Sequence, residues 1–210
     1  MKNYDALADR LIEANKRLNL TAITQKDAVM VLHIEDSLTL CDHIPQGAKV
    51  IDVGTGGGFP ALPIAMARDD IFVTALDSTA KKLAFVEQTA DEFSLPLKTL
   101  CARAEEAAEQ LREAFDVSVS RGVTALPALC ELCLPFVKIG GRFIAMKAKD
   151  CEAEISSAKN ALAVLGGEIK EVLCPTLSDG TVHTLIIIEK ISATPLKYPR
   201  RWSEIKKKPL

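Results

Sequence analysis

The stretch Val50-Ile-Asp-Val-Gly-Thr-Gly-Gly-Gly-Phe-Pro-Ala-Leu-Pro-Ile-Ala65 places four glycines in the five positions from Gly54 to Gly58, behind an apolar run that contains Asp52. A short apolar run entering a glycine-rich turn reads as a buried strand followed by a loop whose main chain can be approached closely. Glycine tolerates positive φ and presents no Cβ. The residues after it, rich in alanine and leucine, read as a helix. Strand, glycine loop and helix together are the opening unit of an α/β domain that binds a nucleotide-like ligand.

Working outward, short apolar runs alternate with amphipathic segments. The strand-like runs are KVIDV, IFVTALD, LKTLCA, FDVSVS and GRFIAMK. The helices between them follow Gly58, cover about Thr79 to Glu92, lie near Glu105, and cover about Leu126 to Leu134. This rhythm predicts a doubly wound, mostly parallel sheet. A helix from about Asp150 to Leu165 precedes EIKEVLCPTL and VHTLIIIEK, which flank Ser178-Asp179-Gly180 and predict an antiparallel hairpin closing the sheet. Upstream, helical patterns cover Tyr4 to Arg17 and Lys26 to Cys41. The expected organisation is a helical cap (residues 1–44), a core (45–190) and a basic tail (191–210) within one domain.

Composition limits the function classes. The chain has 210 residues, is 48% hydrophobic and carries a formal net charge of −2, which is enough for one sizeable core and gives no global basic field for nucleic acid. No run is long enough to span a membrane and the charged N-terminus lacks the apolar centre of a signal peptide, so a soluble cytoplasmic protein is expected. The six cysteines sit in apolar contexts without a disulfide framework and are expected to be reduced and mostly buried. Cys130 and Cys133 form a C-x-x-C, but within a helical segment with no second pair at zinc spacing. The histidines offer no metal constellation, and no metal is expected.

In such sheets ligands bind beyond the carboxyl ends of the strands. Asp52, Asp77, the Cys101–Glu105 loop and Ser120-Arg121 all fall there and are expected to converge on one cleft. The nicotinamide fingerprint requires G-x-G-x-x-G, whereas Phe59 fills the last small position here. The spacing D-x-G-x-G-x-G is instead similar to the first motif of S-adenosylmethionine-dependent methyltransferases. Gly54, Gly56 and Gly58 would shape the loop, and Asp77 would accept the ribose hydroxyls. An oxidoreductase using a nicotinamide cofactor and a non-catalytic RNA-binding protein retaining the fold are the competing readings.

Several further stretches carry a closer resemblance. LNLTAIT, HIEDSL, DVGTGGGFPALPIA, LDSTAKKLAF, RAEEAA and SVSRGV resemble successive signatures of the glucose-inhibited division protein B family, from about Asn15 to the closing KKKPL. That resemblance implies a class I methyltransferase fold and methylation of a guanine N7 in 16S, small-subunit, ribosomal RNA. Carried over by position, it assigns Gly54 and Phe59 to the first cofactor loop, Ala104 and Glu105 to the adenine side, and Arg121 to the end of the fourth strand. The chain departs from the family at Ala14, where a tryptophan is usual, at SRGV in place of Ser-Arg-Ala, and at MKAK in place of Lys-Gly. These positions touch the cap and the substrate rim.

Guanine N7 already carries an in-plane lone pair, so no obligatory general base is expected. Orientation of the reactants supplies the rate. Neither the Asn/Asp-Pro-Pro-aromatic motif of amine methylation nor a Pro-Cys nucleophile follows the fourth strand. Arg121 can hold the methionine carboxylate or a phosphate with its guanidinium fork. His33 and Asp36, three apart on a helix, are catalytic candidates that, with Asn19, would shape a cap over the target base. The tail supplies Lys197, Arg200, Arg201, Lys206, Lys207 and Lys208 against Glu204 alone, interleaved with Tyr198 and Trp202, and is expected to grip RNA phosphates. No protein partner is expected.

Overall fold

A computed structural model describes residues 3–210; Met1 and Lys2, the start of the charged N-terminal stretch, lie outside the described residues. Among these, the strands β1 (Lys49–Val53), β2 (Phe72–Asp77), β3 (Leu97–Cys101), β4 (Phe115–Arg121), β5 (Val137–Ala148), β6 (Gly167–Leu173) and β7 (His183–Lys190) form one sheet in the order β3-β2-β1-β4-β5-β7-β6. The first five are parallel, and β7 lies between β5 and β6, antiparallel to both. The hairpin is present, but its antiparallel strand is internal and the sheet ends on β6. Its connection spans Cys174 to Val182, with Gly180 at φ +85° and the Asp179 carboxylate accepting from the Thr181 N–H.

The helices are α1 (Tyr4–Leu18), α2 (Lys26–Val29), α3 (Asp36–Leu38), α4 (Ala61–Ala67), α5 (Ala80–Glu92), α6 (Ala104–Gln110), α7 (Leu126–Cys133), α8 (Glu152–Ser157), α9 (Lys159–Leu165) and α10 (Trp202–Lys207). β1 and β2 are buried along nearly their whole length because helices cover both sheet faces. On one face Leu7, Leu11 and Ile34 of the N-terminal helices share a core with Val50, Ile64 and Val86. The N-terminal segment is therefore built into the core rather than laid over it. The other face packs α7 and α9 with Ile205 and Tyr198 from the C-terminal segment.

Three expectations need correcting. The helix anticipated over Asp150–Leu165 is two helices meeting at Ala158, where the Ser157 hydroxyl donates to the Glu154 carbonyl and competes with the helical ladder. The segment Lys26–Cys41 is not a uniform α-helix, since Met30–Glu35 forms a π-helical turn between α2 and α3. The Leu32 carbonyl accepts from Arg121 Nη1 at 2.9 Å, an outside side chain inserted beside the ladder. The cysteines are less buried than composition suggests: Cys130, Cys133 and Cys151 are buried, whereas Cys101 and Cys174 are exposed. Cys130 and Cys133 do sit in α7, and burial pushes the Cys130 thiol up to about 12 and raises that of Cys133 as well.

Candidate active site

Strand order reverses between β1 and β4, and a cleft of about 510 Å³ opens beyond the carboxyl ends of β1, β2 and β4. That volume suits a ligand the size of a nucleoside carrying an amino acid. Its floor is the glycine loop. Gly54 and Gly56 line it with φ of +78° and +58°, and a Cβ on Gly54 would lie 2.5 Å from Val123 Cγ2. A side chain there would both strain the backbone and fill the cleft.

Gly58 answers to a different constraint. It does not line the cleft; a Cβ there would overlap the Leu62 side chain and press on Val86. Its smallness lets α4 pack beneath the loop, a packing requirement on Gly58 beside its place in the glycine motif. Asp52 is likewise fully buried below the loop, where its Oδ2 accepts from the Ala61 N–H at 3.2 Å. Burial pushes its carboxyl up to about 7. Because Asp52 occupies the start of α4, that helix end offers no open site for a pyrophosphate, which disfavours the dinucleotide reading.

Asp77 stands at the end of β2. One of its oxygens accepts from Gly56 N–H at 3.0 Å and the other from Thr79 N–H at 2.8 Å. The carboxylate thus ties the glycine loop to the start of α5, and each oxygen retains accepting capacity towards the cleft. Ala104 and Glu105, at the start of α6, line the same cleft, as do Ala102 and Arg103. Phe59 lines it too, stacked on His33 with ring centroids 4.9 Å apart.

Arg121 organises the opposite end. Nη1 donates to the Leu32 carbonyl and to Asp36 Oδ2 at 2.8 Å, Nη2 donates to His33 Nδ1 at 2.9 Å, and the guanidinium lies 5.8 Å from the Phe59 ring centroid. Since Arg121 can only donate, His33 Nδ1 accepts and its proton sits on Nε2. Nε2 therefore donates to Thr21 Oγ1 at 2.7 Å. Burial, reinforced by the Arg121 charge, lowers the His33 pKa to about 4. The imidazole is neutral with both nitrogens engaged, so it has no lone pair to take a proton from substrate. Asp36 is 1% exposed and does not line the cleft; its second oxygen accepts from His183 Nδ1 at 2.8 Å. His33 and Asp36 thus meet through Arg121 rather than through the helical spacing that brought them to notice.

Asn19 departs further from expectation. It is exposed and takes the left-handed conformation that ends α1. The neighbouring Asn15 does the organising: its Oδ1 accepts from the Leu20 and Thr21 N–H groups and its Nδ2 donates to the Thr21 carbonyl. Leu20 and Thr21 are held against the cleft as a result. Thr21, His183 and Asn15 were missed from sequence because their roles depend on hydrogen bonds to distant elements.

The tail also differs from a free basic arm. Arg200 is bound to Glu131, which is 0% exposed, through Nε–Oε1 at 2.8 Å and Nη2–Oε2 at 2.6 Å, and its Nη1 donates to the Lys208 carbonyl. Arg200 thus spends three of its five N–H groups on Glu131 and Lys208, so less of its fork is left for a phosphate than at the other tail cations. Lys197, Arg201, Lys206, Lys207 and Lys208 are exposed.

The donor set fits S-adenosylmethionine. Two open glycines allow close backbone approach, Asp77 is placed for a ribose diol, and an arginine faces the other end. The description rRNA small subunit methyltransferase G (GidB) matches residues 1–182. The chain is 40% identical over 208 residues to ribosomal RNA small subunit methyltransferase G of Clostridium perfringens strain 13, covering 96% of this chain and 87% of that protein. It is 41% identical over 217 residues to the protein of the same name from Lactobacillus johnsonii, covering 100% and 91%. Among solved structures it resembles TrmN from Thermus thermophilus, with TM-score 0.59 and 23% identity over 88% of this chain and 53% of that one. It also resembles M. jannaschii TYW2 in complex with AdoMet, with TM-score 0.60 and 16% identity over 76% of each. These structural likenesses bear on the fold, which is that of class I methyltransferases, and the sequence matches establish that the chain belongs to the rRNA small subunit methyltransferase G family.

Proposed function

We propose that this protein transfers the methyl group of S-adenosylmethionine to N7 of a guanine in small-subunit ribosomal RNA, by direct displacement and without an obligatory general base. Family membership supports the enzyme class and the RNA. The observation that carries the cofactor is the cleft where Gly54, Gly56 and Asp77 meet at the ends of β1 and β2. When bound, S-adenosylmethionine supplies an activated methyl group on a sulfonium.

The chain's own residues then have two tasks, to orient and to exclude water. Arg121 retains its Nε–H and one Nη2–H beyond its three internal bonds, and these face a carboxylate or phosphate well. Phe59 and His33 give a flat wall against which a base can be held. The absence of a base requirement agrees with a neutral, doubly engaged His33, and with Ser120, whose hydroxyl donates to the Val53 carbonyl at 2.7 Å. The buried, high-pKa thiols of Cys130 and Cys133 suit packing rather than nucleophilic attack.

Lys197, Arg201 and Lys206 to Lys208 are proposed to contact RNA phosphates, and the reaction to take place in the cytoplasm, where small ribosomal subunits are. The test is label transfer from S-adenosylmethionine to small subunits taken from cells with and without the gene. Label confined to RNA of the deleted strain, recovered as 7-methylguanosine, is expected. Label at another atom or in neither RNA would overturn the assignment. In the same assay, replacing Lys206, Lys207 and Lys208 with glutamine is expected to raise KM for subunits and reduce its salt dependence. An unchanged KM would remove the tail from the RNA surface.

A further inference from the structure

The cleft is chemically mixed. Thr21, His33 and Arg121 line it, and so do Ala102, Ala104, Leu132 and Trp202, which stand among the polar Ser78, Lys82, Arg103 and Glu105. Trp202 belongs to the C-terminal segment, and its backbone N–H donates to Glu105 Oε1 at 3.2 Å across 97 residues of sequence. Neither the glycine motif nor the strand pattern places a tryptophan there.

We propose that Trp202 forms one face of the subsite for the purine ring of the cofactor, so that the C-terminal segment is part of the cofactor site. The proposal rests on the cofactor reading above and adds a residue to it. With Asp77 placed for the ribose and the Ala102 N–H bonded to the Asp77 carbonyl at 3.1 Å, the side chains of Ala102, Ala104 and Leu132 with the indole are the apolar surface nearest to where the attached heteroaromatic ring would lie. An indole face gives that ring a stacking surface. Glu105 and the main chain around Ala102 supply polar groups at the edge.

Trp202 is fixed in place before any ligand arrives. Two residues earlier, Arg200 is locked to the buried Glu131, and three residues later Ile205 is 0% exposed within the core. Upstream, the buried Lys190 donates to the Leu134 carbonyl and to Thr194, whose hydroxyl donates to the Leu165 carbonyl. Arg112 donates to the carbonyls of Thr194 and Tyr198. Holding the aromatic face rigid removes an ordering cost from binding.

Trp202 is the chain's single tryptophan, so its fluorescence reports on this subsite alone. The experiment titrates the full chain with S-adenosylhomocysteine and with adenosine, followed in parallel by fluorescence and calorimetry. Saturable quenching by both ligands, with the calorimetric Kd, is expected. Trp202→Ala is expected to weaken S-adenosylhomocysteine roughly 10-fold, and Trp202→Phe to stay within roughly 3-fold of the parent. The wild-type fluorescence arm holds even if the alanine variant folds poorly. Calorimetric binding that leaves the fluorescence unmoved, or fluorescence that responds to RNA and not to these ligands, would overturn the proposal while leaving the cofactor reading intact. No heat of binding with the wild-type chain would overturn both.

Discussion

Arg121 and Arg200 have the same kind of surroundings and opposite uses. Each pairs with a buried carboxylate, Asp36 at 1% and Glu131 at 0% exposure, and each guanidinium lies 5.8 Å from an aromatic centroid, Phe59 or Tyr198. Each spends three of its five N–H groups inside the protein, and the difference is in what the remaining ones lie beside. Arg200 gives Nε and Nη2 to Glu131 and Nη1 to the Lys208 carbonyl. Arg121 spends Nη1 and half of Nη2 inside the protein and keeps the rest beside the cleft that it lines. Position beside the cleft, rather than the ion pair or the number of bonds already made, separates a ligand-facing group from a staple.

The largest effect that can test this contrast is on stability. Arg200→Ala strands the Glu131 charge in the core and is expected to cost about 3–5 kcal/mol, a fall in Tm of roughly 10 °C for a chain of this size. A fall of only a degree or two in thermal unfolding would mean that Arg200 is as dispensable as a surface cation, and the staple assignment would be wrong.

Arg121→Lys should show the reverse balance. A lysine can keep the charge opposite Asp36 but cannot also reach Leu32, His33 and a ligand with a planar fork. Methyl transfer is expected to fall about 100-fold through loss of orientation, with unfolding shifted by no more than about 2 kcal/mol. A variant with normal turnover and markedly lower Tm would place Arg121 in the same class as Arg200.

A smaller effect is read from pH. His33 is held near 4 in the folded protein and returns to about 6.5 when unfolded, so the unfolded chain takes up its proton first. Stability from this group is intact above pH 6.5 and is lost as pH falls towards 4, by up to about 3 kcal/mol. Asp52, raised to about 7, acts oppositely: its folded form binds the proton more tightly, and that advantage fades as pH rises from 4 through 7. The wild-type curve is thus flattened, and Asp52→Asn should expose a steeper acid loss in denaturant unfolding. An NMR titration placing the His33 imidazole near 6.5 would break the link between its neutrality and the Arg121 bond.

Local sequence carried the alternation of strands and helices, the switch-point cleft and the glycine loop, because each follows from backbone sterics and short-range periodicity. Val50 to Val53 reads as a buried strand whatever lies elsewhere, and Gly54 and Gly56 at positive φ announce a turn that excludes side chains. Gly58 shows where such reading stops. Its place in the motif points to the ligand, while Leu62 and Val86 around it impose a packing requirement that the motif does not show. Likewise His33 and Asp36 were visible as a pair, yet the third member that joins them lies 85 residues from Asp36.

The tertiary structure decided which charges face outward and which are spent within. Tail cations look alike in sequence, and only the fold brings Arg200 against Glu131, 69 residues away, and Trp202 against Glu105, 97 residues away. Composition and spacing report what a residue can do. A buried carboxylate must find a cation and a buried donor an acceptor, but the crossing of the chain that makes them neighbours is set by how both faces of the sheet are covered, and no local pattern encodes it.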